Sequence, residues 1–176
     1  MKRTPVILFM TLVLTLTLGG AALAAPLALN KSGDFSLYVD RFSLGGRYGI
    51  TNDITVGAGT LGNDDGWNIN GAWQATRTLL VCADVDLYDS YTDITAGLYI
   101  PLASGSNVAA VAGGGIDYRI YDESTIDPIL KIQGQAEVQF TIGSNVLFYN
   151  SLNCIFDVDN STLSFGAYNI GIQYAF

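Results

Sequence analysis

The sequence predicts an all-β fold: a closed antiparallel up-and-down transmembrane β-barrel of eight to ten strands, with ten the preferred count. Three observations predict it. The N-terminus reads as an export leader, the rest of the chain alternates apolar and polar residues, and turn residues interrupt that alternation every ten or so positions.

The leader comes first. Lys2 and Arg3 form a basic start, Val6 to Leu18 is an uncharged apolar run, and Ala22-Leu23-Ala24 is an A-x-A cleavage site. The run is about thirteen residues long, too short for the roughly 20 that cross a bilayer as a helix. Cutting after Ala24 leaves Ala25 at the new terminus, whereas cutting one residue later would leave Pro26 there. No Cys follows the site, so a lipid-anchored product is not expected. The expected organisation is therefore a signal peptide at 1–24 and one barrel domain at 25–176.

Removing the leader leaves six basic against sixteen acidic residues, a net charge of −10. A chain this acidic is not expected to seek nucleic acid. No later stretch approaches a transmembrane helix in length, and no 3.6-residue periodicity stands out beyond the leader.

The strands follow in order. Phe35 to Asp40 reads as a short strand because the alternation slips at Arg41-Phe42, and a second runs roughly from Phe42 to Ile50. Eight more lie between Ile54 and the C-terminus. Trp67, Ile69, Gly71 and Trp73 oppose Asn68, Asn70, Ala72 and Gln74; Leu79, Val81, Ala83, Val85 and Leu87 oppose Leu80, Cys82, Asp84, Asp86 and Tyr88. Ile94, Ala96, Leu98 and Ile100 oppose Asp93, Thr95, Gly97 and Tyr99, and Val108 to Ile120 opposes a face ending in Asp117 and Arg119. The clearest segment is Leu130 to Ile142, with Leu130, Ile132, Gly134, Ala136, Val138, Phe140 and Ile142 on one face and Lys131, Gln133, Gln135, Glu137, Gln139 and Thr141 on the other.

That last segment sets inside and outside. A soluble core face would be dense in Leu, Ile and Phe, whereas this apolar face includes Gly and Ala, and its polar face is rich in amides. Small residues suit lipid, where no core has to be filled. Segments of about ten residues alternating in this way are the signature of a membrane barrel, weak singly and strong when repeated. The final strand repeats it, with Tyr168, Ile170, Ile172, Tyr174 and Phe176 alternating with Asn169, Gly171 and Gln173.

The turns fall into two alternating sets. One, with Asn63 to Gly66, Asp89 to Tyr91, Asp122 to Pro128 and Asp157 to Ser161, is strongly acidic, as expected of the cell exterior. The other, near Thr51, Arg77, Leu102 to Asn107 and Gly143, would then face the periplasm.

Motifs suggesting chemistry have simpler explanations. Gly57 to Gly62 matches G-x-G-x-x-G, but another strand follows where a nucleotide site needs a helix. Asp157-Val158-Asp159-Asn160 opens like a calcium loop, yet Thr162 and Tyr168 stand where Gly and Glu are required. Cys82 falls on the inner face and Cys154 on the outer, so no disulfide is expected between them. Trp67, Trp73, Tyr168 and Tyr174 suit the membrane interface. The chain contains no histidine, which removes His-based nucleophile activation and His metal ligation. No enzyme activity, cofactor or metal is expected.

The inner face instead collects charge: Arg47, Asp84, Asp86, Asp93, Asp117, Arg119, Lys131 and Glu137. In a narrow barrel these read as a mutually paired network, because an unpaired buried charge costs several kcal/mol.

With leader, alternation and the terminal Tyr174-Ala175-Phe176 in view, the chain resembles the small bacterial outer-membrane β-barrels of the broad OmpA-like and OmpX-like class. The resemblance implies residence in the cell outer membrane as a monomer among outer-membrane lipids. It also implies that Tyr174 and Phe176 belong to a β-signal read by the barrel-assembly machinery. The function expected is that of an integral outer-membrane β-barrel protein, structural or a narrow, porin-like passive pore. The alternative is a secreted, lipocalin-like barrel binding a small apolar ligand, which would require the apolar faces to point inward.

Overall fold

The structure, a computed structural model, describes residues 27–41, 43–62 and 66–176, with the backbone alone at 166–168. The leader expected at 1–24 lies outside the described residues, as do most of the turn at 63–66 and the side chain of Tyr168.

Ten strands follow one another: β1 (Phe35–Asp40), β2 (Ser43–Gly49), β3 (Ile54–Leu61), β4 (Gly66–Thr76), β5 (Leu79–Leu87), β6 (Tyr91–Ser104), β7 (Val108–Tyr121), β8 (Ile129–Ile142), β9 (Val146–Asp157) and β10 (Thr162–Ala175). Each pairs antiparallel with its neighbour in the chain, and β1 closes the barrel on β10 through Ser36 opposite Ala175 to Asp40 opposite Gly171. Closure leaves no strand edge, and in hydrocarbon each unpaired backbone group would cost several kcal/mol. Pro101 cannot donate to a ladder. The register shifts beside it, between Pro101 and Ala103 near the end of β6, where a proline is tolerated.

Strand periodicity turns the sequence alternation into two surfaces. In β8, Gln133, Gln135, Glu137 and Gln139 are buried in the lumen while Ile132, Ala136 and Phe140 are exposed outside. The same holds in β4, with Asn68, Asn70 and Ala72 inside and Trp67, Ile69 and Trp73 outside. The fully buried side chains include Arg47, Glu137, Asn68, Asn153 and Asn169. Polar inside and apolar outside is the reverse of a soluble barrel.

The wall is uneven. Strands β6, β7, β8 and β10 have 14 residues each, whereas β1, β2 and β3 have 6, 7 and 8. A tilted strand needs roughly 9–11 residues to cross the hydrocarbon of a bilayer, a length that the long strands exceed and β1, β2 and β3 do not reach. Phe35, Tyr48, Trp73, Tyr174 and Phe176 lie exposed near the end where the chain terminates, and Trp67 and Phe165 near the other. The Phe35 and Phe176 rings stack across the seam at 6.1 Å, where the Phe176 N–H donates to the Phe35 carbonyl at 2.9 Å.

Adjacent positions on β8 test which surface meets lipid. Val138→Arg is expected to lower the stability of refolded protein in vesicles by about 2 kcal/mol, the cost of a lipid-facing arginine away from the interface. Gln139→Arg is expected to cost less, because it lies inside beside Glu137. Chemical denaturation of both variants checks the order; the reverse order would exchange the two surfaces.

Candidate functional site in the lumen

The lumen is occupied by the chain's own residues 27–30, which an exposed turn at 31–33 leads into β1, a feature outside the sequence reading. Before β1 the chain makes a tight turn in which the Asp34 N–H donates to the Lys31 carbonyl at 3.0 Å. Gly33 takes a positive φ of 84°, a conformation that costs glycine little. The segment before the turn runs back inside the barrel. An eight-stranded barrel is just wide enough for its own side chains to fill, so a ten-stranded one has room to spare.

Asn30 anchors this insert. Its N–H donates to Thr55 Oγ1 at 2.8 Å, and its Nδ2 donates to Ser36 Oγ at 2.9 Å and to the Arg47 carbonyl at 3.0 Å. Its Oδ1 accepts from Gln173 Nε2 at 2.8 Å. One residue thus ties four strands together, its side-chain amide bonding β1, β2 and β10 and its backbone N–H bonding β3. Further in, the Arg47 guanidinium donates to the Ala28 carbonyl, and the Leu27 N–H donates to Glu137 Oε1 at 3.0 Å. The Leu27 side chain packs with Ala72, Leu80, Cys82 and Tyr99 in a small apolar cluster inside the polar lumen.

All eight charged residues singled out in the sequence face the lumen, in separate groups. Arg119 grips Asp93 with two hydrogen bonds of 2.7 Å, Nε to Oδ1 and Nη2 to Oδ2, and its guanidinium lies 4.0 Å from the Tyr91 ring centre. Lys131 faces Asp117 across the β7–β8 ladder at 3.6 Å. Asp86 accepts from Asn68 Nδ2. Glu137 Oε1 accepts from Gln139 Nε2 at 2.7 Å as well as from Leu27. Among the described residues, the carboxylate oxygens Asp84 Oδ1, Asp117 Oδ1 and Glu137 Oε2 are buried without a hydrogen-bond partner.

Three tyrosines take up much of the remaining width. Tyr38, Tyr99 and Tyr149 are at most 1 % exposed. A Cβ on Gly97 would come within 2.8 Å of the Tyr99 ring, and one on Gly45 within 2.5 Å of the Tyr38 hydroxyl. Lumen-facing glycine is therefore what lets each ring lie flat along the wall. Tyr149 covers Gly171 in the same way, and its hydroxyl donates to Asp40 Oδ2 at 2.8 Å. A cavity of about 340 Å³ remains at the terminal end, between the insert and β8 to β10, bordered by Asn30, Lys31, Gln139, Asn145 and Gln173.

Cys82 is buried in the lumen and Cys154 packs outside against Gly134, so both are free thiols. Gly57 and Gly59 are strand residues of β3. The Asp157 carboxylate accepts from the Asn160 N–H and Nδ2, each at 3.0 Å, and so stabilises its own turn. Tyr174 and Phe176 lie outside the barrel with their rings 4.9 Å apart.

No protein-family model and no curated protein matches the chain. Among solved structures it is similar to a de novo designed transmembrane β-barrel, at 13% identity over 85% of this chain and 100% of that one, with a TM-score of 0.47. It is also similar to the N-terminal β-barrel domain of Pseudomonas aeruginosa OprF, at 12% identity over 81% of this chain and 96% of that one, with a TM-score of 0.39.

Removing the anchor of the insert should be costly. Asn30→Ala leaves buried partners on several strands, each worth roughly 1–3 kcal/mol when left unsatisfied, so a loss of about 2–4 kcal/mol is expected after partial relaxation. Arg119→Ala, at a more solvated pair, should cost about 1–3 kcal/mol, below the range for fully buried pairs. Equilibrium unfolding in detergent measures both.

Proposed function

We propose that the protein is an integral structural component of the bacterial outer membrane, exported by a cleaved leader and closed to solute flow by its own N-terminal segment. One observation carries this reading. Large apolar side chains such as Leu37, Ile69, Leu98 and Ile132 form an exposed outer belt while amides, carboxylates and arginines are buried within. In water a belt of this extent would be an aggregation surface, whereas in lipid it is the required exterior. A lipocalin-like carrier would need those apolar faces turned inward.

Closure is supported by the insert, by the three lumen tyrosines and by the Arg119–Asp93 and Lys131–Asp117 pairs, which together obstruct the axis. A conducting pore would need a continuous wet path past them. No catalytic role is proposed, since the chain lacks histidine and Asp86, Asp93 and Asp117 are engaged with a neighbouring amide or cation. The acidic turns would face the cell exterior and the C-terminal end of β10 the periplasm. The protein would insert as a monomer through the barrel-assembly machinery, with Tyr174 and Phe176 as its signal.

In planar bilayers the purified protein is expected to show little or no steady conductance, and deletion of residues 27–30 is expected to produce channel events. Large stable channels from the intact protein would replace the closed reading with that of a pore. Deleting Phe176 should impair assembly in cells far beyond the few kcal/mol at most of burial it removes, yet still permit folding in detergent. Its level in isolated outer membranes checks this; a normal level would make Phe176 an ordinary lipid-facing residue.

A further inference from the structure

Strands β1 and β10 finish together at one end of the barrel only. At the terminal end the Phe176 N–H donates to the Phe35 carbonyl, so the two strands are flush there. At the other end β1 stops at Asp40, opposite Gly171, and one further bond follows from the Arg41 N–H to the Ile170 carbonyl at 3.2 Å. Strand β10 continues past that bond to Thr162 with β9 on one side and, among the described residues, no strand on the other. The shortness of β1 is therefore a notch cut from one rim, floored by the β1–β2 turn, where β2 begins at Ser43.

The outer surface changes character across this notch. On its floor Arg41 is exposed, while the Asp40 carboxylate accepts from the Ser43 N–H and hydroxyl and from the Tyr149 hydroxyl. On the adjoining wall Leu163 and Phe165 are 56% and 64% exposed. Leu163 lies seven residues along β10 from Ile170. At about 3.3 Å per residue and a tilt near 45°, that is roughly 16 Å of height. The apolar surface continues round the barrel, with Leu163 opposite Phe156 and Phe156 opposite Ile132. A bilayer covering these side chains at uniform thickness would submerge both the Arg41 guanidinium and the unpaired edge of β10. Alternate residues along such an edge direct N–H and C=O away from β9. In hydrocarbon each of these groups costs more than thinning the lipid beside it by several Å.

A further strand is the other way to cover an edge. The register of β10 shifts between Phe165 and Tyr168, within this same stretch, and bulges at a sheet edge turn it away from strand addition. Water and lipid head groups need no strand alignment, and a phosphate complements Arg41. We propose that the notch takes up phosphate-bearing lipid head groups with their water, so that the bilayer is thinned beside β1 to β3 and keeps its full thickness beside β6 to β8. The inference rests on the membrane reading given above. It adds an action on the lipid: the barrel deforms the leaflet at its rim on one side of its circumference.

The test uses wild-type protein refolded into phosphatidylcholine vesicles, with incorporation read by flotation. Hydrogen exchange followed by mass spectrometry is expected to show roughly half of the amides in 162–169, those on the open edge, exchanging as fast as the exposed turns. Residues 132–140 of β8 should stay protected. Arg41→Leu is expected to change the ratio of folded to unfolded protein less than about fivefold, as at an interface, and Ile132→Arg to lower it about thirtyfold, as in hydrocarbon. The exchange measurement needs no variant, so it decides the question even if Ile132→Arg does not fold. An edge protected at every protein-to-lipid ratio would mean that hydrocarbon seals it, and protection only at high ratio that a second copy does; either overturns the proposal. So would a gain of about thirtyfold from Arg41→Leu, which would place that guanidinium in hydrocarbon. An Ile132→Arg protein as stable as the wild type would put the whole rim above the bilayer, with the same result. Protein that stays in the aqueous fraction on flotation would overturn the membrane reading and the proposal together.

Discussion

Everything in this barrel depends on pairing its backbone hydrogen bonds around a closed ring, which in the lipid setting proposed above no water could replace. The five-residue seam between β1 and β10 completes the ring, and once the ring is complete the other choices narrow. The outer surface has only to be apolar, so Ala58, Gly134 and Ala136 serve as well as Leu98 or Ile132. The inner surface has to accommodate polar atoms out of bulk water. It pairs many of them through short amides, ion pairs and three tyrosines laid over glycines, and leaves others, Asp84 Oδ1 and Glu137 Oε2 among them, without a partner.

The alternation that specifies this arrangement was legible because it is local. Leu130 to Ile142 keeps strict period two across a whole strand, and the slip at Arg41-Phe42 marks a real strand boundary between β1 and β2. The same parity placed Cys82 inside and Cys154 outside. Partners were less legible. Facing the lumen is a property of one residue, but the grip of Arg119 on Asp93 depends on the register of β6 against β7, which parity does not reveal. The irregular register between Phe165 and Tyr168 had no mark in the composition.

The insert was hidden for a stronger reason. Residues 27–34 have neither strand periodicity nor helix periodicity, and their meaning lies in contacts at long range. Asn30 bonds to a partner 143 residues away and Leu27 to one 110 residues away. An Asn followed by Lys-Ser-Gly reads as a surface turn on local grounds. Only a lumen wider than its side chains could fill makes a buried anchor of it. A ten-strand count could have raised the question, since eight strands fill themselves and ten do not.

The insert also answers a weakness in the wall. The strands on the β1 side of the seam are the shortest, so β1, β2 and β3 share the fewest ladder bonds and would be the first to open. Asn30 bonds to Ser36 on β1, to the Arg47 carbonyl on β2, to Thr55 on β3 and to Gln173 on β10. The strands with the least backbone support are the ones a single buried residue holds together. Asn30, through its side chain and its backbone N–H, thus does for the short wall what extra ladder length does for β6 to β8, and it does so only while the segment is seated. Seating of the insert and closure of the sheet are therefore coupled through one residue, and a change that draws the insert out would loosen the seam.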